Sequence, residues 1–200
     1  MTKCIYLASG KAKLNVPCFK VFYNDLMESD VDFKCDMLSV DLEDFDVLIA
    51  TPPCNYYSRA NSYKSKETSS YSQATKHLLP DILRKFIATE KPFIVENVRS
   101  FPLFKKTGLF DLGLFVYFHG RHTYWTNIPF NPSGIPQEYD FCQYLGKDGR
   151  YHEKRLKSYV QGGENVNSVI SYWLQCLQQY TEFGLLKKEK KYGNECIFRM

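Results

Sequence analysis

Asp46-Val-Leu-Ile-Ala-Thr51, followed at once by Pro52-Pro53-Cys54, reads as a fully buried strand with an abrupt end. Consecutive apolar residues suit a strand covered on both faces. The two prolines stop it, because neither offers an N–H to a ladder and both fix φ. Beyond it, Leu79, Ile82, Leu83, Phe86 and Ile87 fall at the three-and-four spacing of one helix face, predicting a helix over residues 78–90 with Pro80 in its first turn. Pro92-Phe-Ile-Val-Glu96 is then a second strand, closed by the polar pair Glu96-Asn97. Strand, loop, helix, strand is the alternation of a parallel α/β sheet, and such sheets take ligands outside the carboxyl ends of their strands. Cys54 and Glu96 both fall at such ends. Before this unit, residues 5–8 and 19–23 are short β-rich runs ended by Ser9-Gly10 and Asn24-Asp25.

The chain has 200 residues, 44% apolar and 24% charged, which predicts one globular domain over residues 1–200 and excludes collagen, coiled coil and a wholly disordered chain. A net charge of +4 tolerates a nucleic-acid partner without requiring one. Seven cysteines with no CxxC pair predict free thiols in a reducing cytoplasm. No signal peptide is expected, since the apolar stretch after Lys3 stops at Gly10. No run approaches the roughly 20 apolar residues of a membrane span, so no membrane partner is expected. Residues 55–77 contain no Val, Ile, Leu, Met or Phe and predict a surface loop, with Arg59, Lys64, Lys66 and Lys76 set against Glu67. Residues 114–119 and 123–127 read as hairpin strands, residues 166–180 as a helix and residues 185–200 as a solvated tail.

Two prolines hold Cys54 in one direction, which makes it a positioned thiol rather than one more buried cysteine. Cations such as Arg59 or Arg121 are expected to lower its pKa. Asp46-Val-Leu-Ile-Ala-Thr-Pro-Pro-Cys54-Asn-Tyr-Tyr-Ser58, followed by Phe93-Ile-Val-Glu96-Asn97-Val98, resembles the two central motifs of the DNA cytosine-5 methyltransferases. The resemblance implies a single-domain, Rossmann-like, S-adenosylmethionine-dependent fold acting on double-stranded DNA in the cytoplasm of a bacterial cell or phage-infected host. Carbon 5 of cytosine is not nucleophilic until something adds at carbon 6. Cys54 is implied to make that addition, with Glu96 at ring nitrogen 3. The target base must leave the stack to be reached. Gly120-Arg121-His122-Thr-Tyr-Trp-Thr-Asn127 resembles the family's next motif, with one arginine where that motif has two. Arg121 takes the role at the base and His122 stands in the second position. Ser58, Arg59, Asn97 and His122 are implied DNA contacts.

At the cofactor end, Leu7-Ala-Ser9-Gly10 is similar to the family's first loop without its later glycines, Val21-Phe-Tyr-Asn24-Asp25 to its second element, and Phe33-Lys-Cys-Asp36-Met37 to a third strand. Ser9, Gly10, Asp25, Asp36 and Pro52 are implied to hold S-adenosylmethionine. Asn165 and Val166 join them through Gln161-Gly-Gly163-Glu-Asn165-Val166, which resembles the last motif. No metal is implied. The cofactor half is reduced, since eight residues lie between Gly10 and Phe19 where a parallel crossover wants about a dozen. Target recognition is short too, confined to the 33 residues 128–160 with their interleaved basic and tyrosine side chains. Two other readings stay open: a DNA-binding remnant of the methyltransferase fold without cofactor, and a folate-dependent pyrimidine nucleotide (hydroxy)methylase with the same cysteine chemistry. A monomer is expected, with a partner subunit and RNA as substrate left open.

Overall fold

A computed structural model describes residues 1–58, 69–131, 135 and 153–182, the side chains of 153–165 excepted. Six strands form one mixed sheet: β1 (Thr2–Leu7), β2 (Phe19–Tyr23), β3 (Val47–Ala50), β4 (Phe93–Val98), β5 (Phe115–His119) and β6 (His122–Thr126). Their spatial order is β2-β1-β3-β4-β6-β5, with β2, β1, β3 and β4 parallel and β6 antiparallel to both its neighbours. The architecture is α/β and compatible with a Rossmann-like fold. The chain leaves β1 for β2 on one side and returns to β3 on the other, so a topological switch point lies between the carboxyl ends of β1 and β3.

Strand alternation divides the core. Ile5, Leu7, Leu48, Ala50, Phe93, Val95 and Trp125 face one side and Cys4, Tyr6, Val47, Ile49, Ile94 and Tyr124 the other. The first side is covered by α2 (Leu78–Thr89), which follows the short α1 (Ser70–Thr75) and buries Leu79, Ile82, Leu83 and Phe86 completely. Each such side chain contributes about 1.5–3 kcal/mol. Glu90 ends α2 in a left-handed conformation, φ 57°, and Pro92 disfavours further helix. The next helix, α3 (Phe101–Lys106), buries Phe104 on the same side. The second side is covered by α4 (Glu153–Glu182), through Val166, Val169, Ile170, Trp173, Leu174 and Leu177.

The connections on either side of β2 are reduced, and three expectations change. Among the described residues neither the β1–β2 nor the β2–β3 connection holds an α-helix, and the second has only a 3-10 turn at Met37–Ser39. The expected third strand is a single bridge between Asn24 and Phe33. Lys85 and Lys91 brace this helix-free connection, Lys85 donating to the carbonyls of Leu38 and Val40 and Lys91 to those of Leu42 and Glu43. The 55–77 segment is not wholly a surface loop: Tyr57, Ser72 and Thr75 are buried. The last helix starts before residue 166, so residues 161–165 lie inside α4 rather than in a loop ahead of it. Among the described residues no helix is long and apolar enough to cross a membrane. The proposed recognition segment and tail lie mostly outside the described residues, although Ile128 and Phe130 are buried in the second core.

Candidate active site

Cys54 stands on a tight turn fixed from both ends. Before it, the Thr51 N–H donates to the Leu7 carbonyl (3.1 Å) and the Thr51 hydroxyl to the Ala8 carbonyl (2.8 Å), holding the chain beside the end of β1. The Pro52 carbonyl accepts from Asn97 Nδ2 at 2.9 Å, which ties the turn to β4. After it, the N–H groups of Tyr57 and Ser58 donate to the Cys54 carbonyl at 2.9 and 2.8 Å. Tyr57 anchors this side: its ring lies 5.4 Å from that of Phe104 and its hydroxyl donates to the Lys76 carbonyl.

Glu96 lies on the second face of β4, where β-pairing sets Glu96 opposite Tyr124 and Val98 opposite His122. Glu96 and His122 are therefore diagonal neighbours on one face. His122 Nδ1 is 2.6 Å from Glu96 Oε1, with both side chains largely buried. An ionised carboxylate only accepts, so Nδ1 carries the proton of this bond. His122, expected at the DNA, instead holds Glu96. Its Nε2 is buried and has no hydrogen-bond partner among the described residues. Arg121 sits in the β5–β6 turn, where its carbonyl accepts from the Arg99 N–H.

Burial pushes the Cys54 thiol up to about 11; the Glu96 charge adds to the rise, and Arg121 opposes it. The lowering expected from Arg121 is thus outweighed by desolvation. These couplings bring Cys54, Glu96 and Arg121 into one electrostatic group. Tyr6 joins it from β1: buried, bonded to Thr51, and raised by burial and by Glu96. Sequence reasoning missed Tyr6 because it reads as an ordinary core residue; strand alternation alone would set it on the face of Ile49, Ile94 and Glu96. Iodoacetamide at neutral pH is expected to label the exposed Cys18 well before Cys54, with the Cys54 rate rising about tenfold per pH unit toward its pKa. Peptide mass mapping follows both sites.

No protein-family model matches the chain, and no curated protein matches it.

The residues assigned to the cofactor gather at the switch point only in part. Ser9 is buried after β1 and donates to the Asn24 carbonyl; Gly10 follows with φ 55° and open space where a Cβ would stand. Asp25, after β2, accepts from three backbone N–H groups: Gly10 on one oxygen, Met27 and Glu28 on the other. Asn24, another residue the sequence did not single out, is buried and orders this corner, its amide donating to the Phe33 and Cys35 carbonyls. Asp36 is exposed and caps the 3-10 turn through Leu38 N–H instead of ending a strand. Val166 is a core residue of α4, which corrects its assignment to the cofactor. The Asn165 side chain and Arg59 lie outside the described residues.

Asn97 is corrected as well. It is 1% exposed, with its amide donating to Pro52 and its carbonyl oxygen accepting from Val98 N–H, so it faces the protein rather than DNA. Ser58 remains at the turn beside Cys54. Asn97→Ala is expected to cost about 1–3 kcal/mol by leaving the Pro52 carbonyl unpaired. Thermal unfolding measures this, and Cys54 alkylation should quicken as its turn loosens.

Proposed function

We propose that the chain is a DNA cytosine-5 methyltransferase that attacks a flipped cytosine through Cys54. The observation that carries this reading is one cluster at the carboxyl ends of the paired strands β3 and β4: a thiol on a turn that Asn97 ties to β4, and beside it the buried Glu96 held by His122, next to Arg121. That is the set needed for addition to an electron-poor ring carbon with protonation of the neighbouring nitrogen.

Cys54 Sγ adds to carbon 6, the carbon 5–6 electron pair shifts toward carbon 4, and nitrogen 3 takes a proton from Glu96. A thiol raised to about 11 is a poor nucleophile by itself, and part of that rise comes from the charge on Glu96. Passing the thiol proton to Glu96, and from Glu96 to nitrogen 3, removes that opposing charge as the thiolate forms. His122 fixes which oxygen of Glu96 faces the base, since Oε1 is held by Nδ1. Arg121 offers donors to the cytosine carbonyl oxygen. After transfer, nitrogen 3 returns its proton to Glu96, and the carbon 5 proton leaves to solvent as its bonding pair restores the carbon 5–6 double bond and expels Cys54 as the thiolate.

S-adenosylmethionine, when bound, supplies the methyl group as an electrophile. The groups at the switch point fit it: Gly10 leaves space for close approach, and the three N–H donors on Asp25 leave one of its roughly four lone-pair positions for a ribose hydroxyl. Ser9 and Asp36 stand on either side in sequence. Duplex DNA carrying 5-fluorocytosine tests the reading, because fluorine cannot leave carbon 5 as a proton. With S-adenosylmethionine present, a denaturation-resistant adduct on the Cys54 peptide is expected. Adduct formation on free nucleotide with a folate, and none on DNA, would overturn it; an RNA arm separates the two polynucleotides.

A further inference from the structure

Beyond β4 the chain builds an exposed aromatic surface that the cytosine chemistry does not use. Phe101 is 55% exposed and Phe118 36%. Their rings and that of Phe110 form one cluster, with centroids 5.1 Å (Phe101–Phe110), 6.3 Å (Phe110–Phe118) and 6.5 Å (Phe101–Phe118) apart. The Arg99 guanidinium lies 4.7 Å over the Phe118 ring. Beneath them, the fully buried Phe104 contacts Phe110 at 5.8 Å and Trp125 at 4.9 Å, which makes the cluster a rigid extension of the core. A contiguous apolar surface of this kind marks an interaction site.

The charges around it say what it meets. Over residues 99–119 Arg99, Lys105 and Lys106 stand against a single acid, Asp111, and both lysines are exposed at the end of α3. We propose that Phe101, Phe118 and Arg99 form a stacking platform for an unpaired strand of nucleic acid. Flat rings and a planar cation take base faces of any sequence, while the nearby cations neutralise phosphates. A duplex hides its base faces, so an unpaired strand is the form that can use the rings. The Arg99 N–H donates to the Arg121 carbonyl, which sets the platform against the hairpin turn of the proposed site. It suits bases unstacked beside a flipped target. The link to a target rests on the methyltransferase reading, whereas strand binding is read without turnover, so either can fail alone.

The test is fluorescence anisotropy of the full chain with a labelled single-stranded DNA of mixed sequence and with its duplex. Phe101→Leu keeps apolar bulk and loses the ring; it should weaken single-strand binding by roughly 5- to 100-fold and duplex binding by less than about twofold. Phe101→Tyr, the folding and stacking control, should bind as wild type. Arg99→Ala should weaken single-strand binding and flatten its salt dependence by about 0.7 in log–log slope. Wild-type single-strand affinity in Phe101→Leu, or equal losses on both DNAs, overturns the platform. So does a change of oligomeric state in Phe101→Leu with nucleic-acid affinity intact, which would make the surface a protein interface.

Discussion

Cys54→Ala should abolish methyl transfer to DNA, by about 10⁴-fold or more, while the protein stays folded. The two halves of this result have separate causes. The turn is held by main-chain groups and by the side chains of Thr51, Asn97 and Tyr57, none of which uses the Cys54 side chain: the Cys54 carbonyl accepts from the Tyr57 and Ser58 N–H groups, and the Asn97 amide holds Pro52. Removing one sulfur therefore costs little packing, about 1 kcal/mol. The chemistry has no substitute, because addition at carbon 6 requires a soft nucleophile at that point. Among the described residues the other cysteines stand elsewhere, Cys4 for instance lying in the core of β1. Cys54→Ser should be as inactive, since a hydroxyl is harder still to ionise beside Glu96. Activity is followed by labelled-methyl incorporation, and folding by circular dichroism and thermal midpoint. Turnover within tenfold of wild type in Cys54→Ala would remove the nucleophile from this residue.

Glu96→Gln has the second largest expected effect, a loss of about 10²- to 10⁴-fold in kcat with DNA binding kept. The amide oxygen still accepts from His122 Nδ1, so the 2.6 Å contact has an isosteric replacement, but the amide cannot deliver a proton to nitrogen 3. A second consequence runs the opposite way. The Glu96 charge is one cause of the raised Cys54 pKa, after burial. Removing it lowers that pKa from about 11 and enlarges the thiolate fraction at neutral pH. Iodoacetamide should therefore label Cys54 faster in Glu96→Gln than in wild type, even as turnover falls. A variant that loses turnover and alkylation rate together would mean that Glu96 holds the turn in place and does not act on the base.

The parts of the fold written as periodic patterns were legible, and those built from single contacts were not. α2 was readable within a residue because Leu79, Ile82, Leu83 and Phe86 give it a clean apolar stripe. The start of α4 was not, since residues 153–165 are mostly polar, with Leu156 and Val160 isolated among them and two glycines following, and the stripe begins only at Val166. Residues 55–77 read as surface because they lack Val, Ile, Leu, Met and Phe, yet Tyr57 fills a core position with its ring and satisfies its hydroxyl at the rim through Lys76. The strand expected at Phe33 shrinks to one bridge because the Asn24 amide takes the Phe33 and Cys35 carbonyls and Asp36 caps the 3-10 turn that follows. At the site, Cys54 and Glu96 could be named from motif order. Register decides the rest: the antiparallel pairing of β4 with β6 sets His122 diagonal to Glu96, and Asn97, one residue on, points to the opposite face and into Pro52.

Nucleoside mass spectrometry of DNA from cells expressing either the wild-type chain or Cys54→Ala addresses base, group and nucleophile together. The result predicted is a 5-methylcytosine peak with the wild type and none above background with Cys54→Ala. With both proteins folded and equally expressed, unmodified cytosine in both samples, or the same modified base in both, would contradict the assignment of Cys54 as a cytosine-methylating nucleophile.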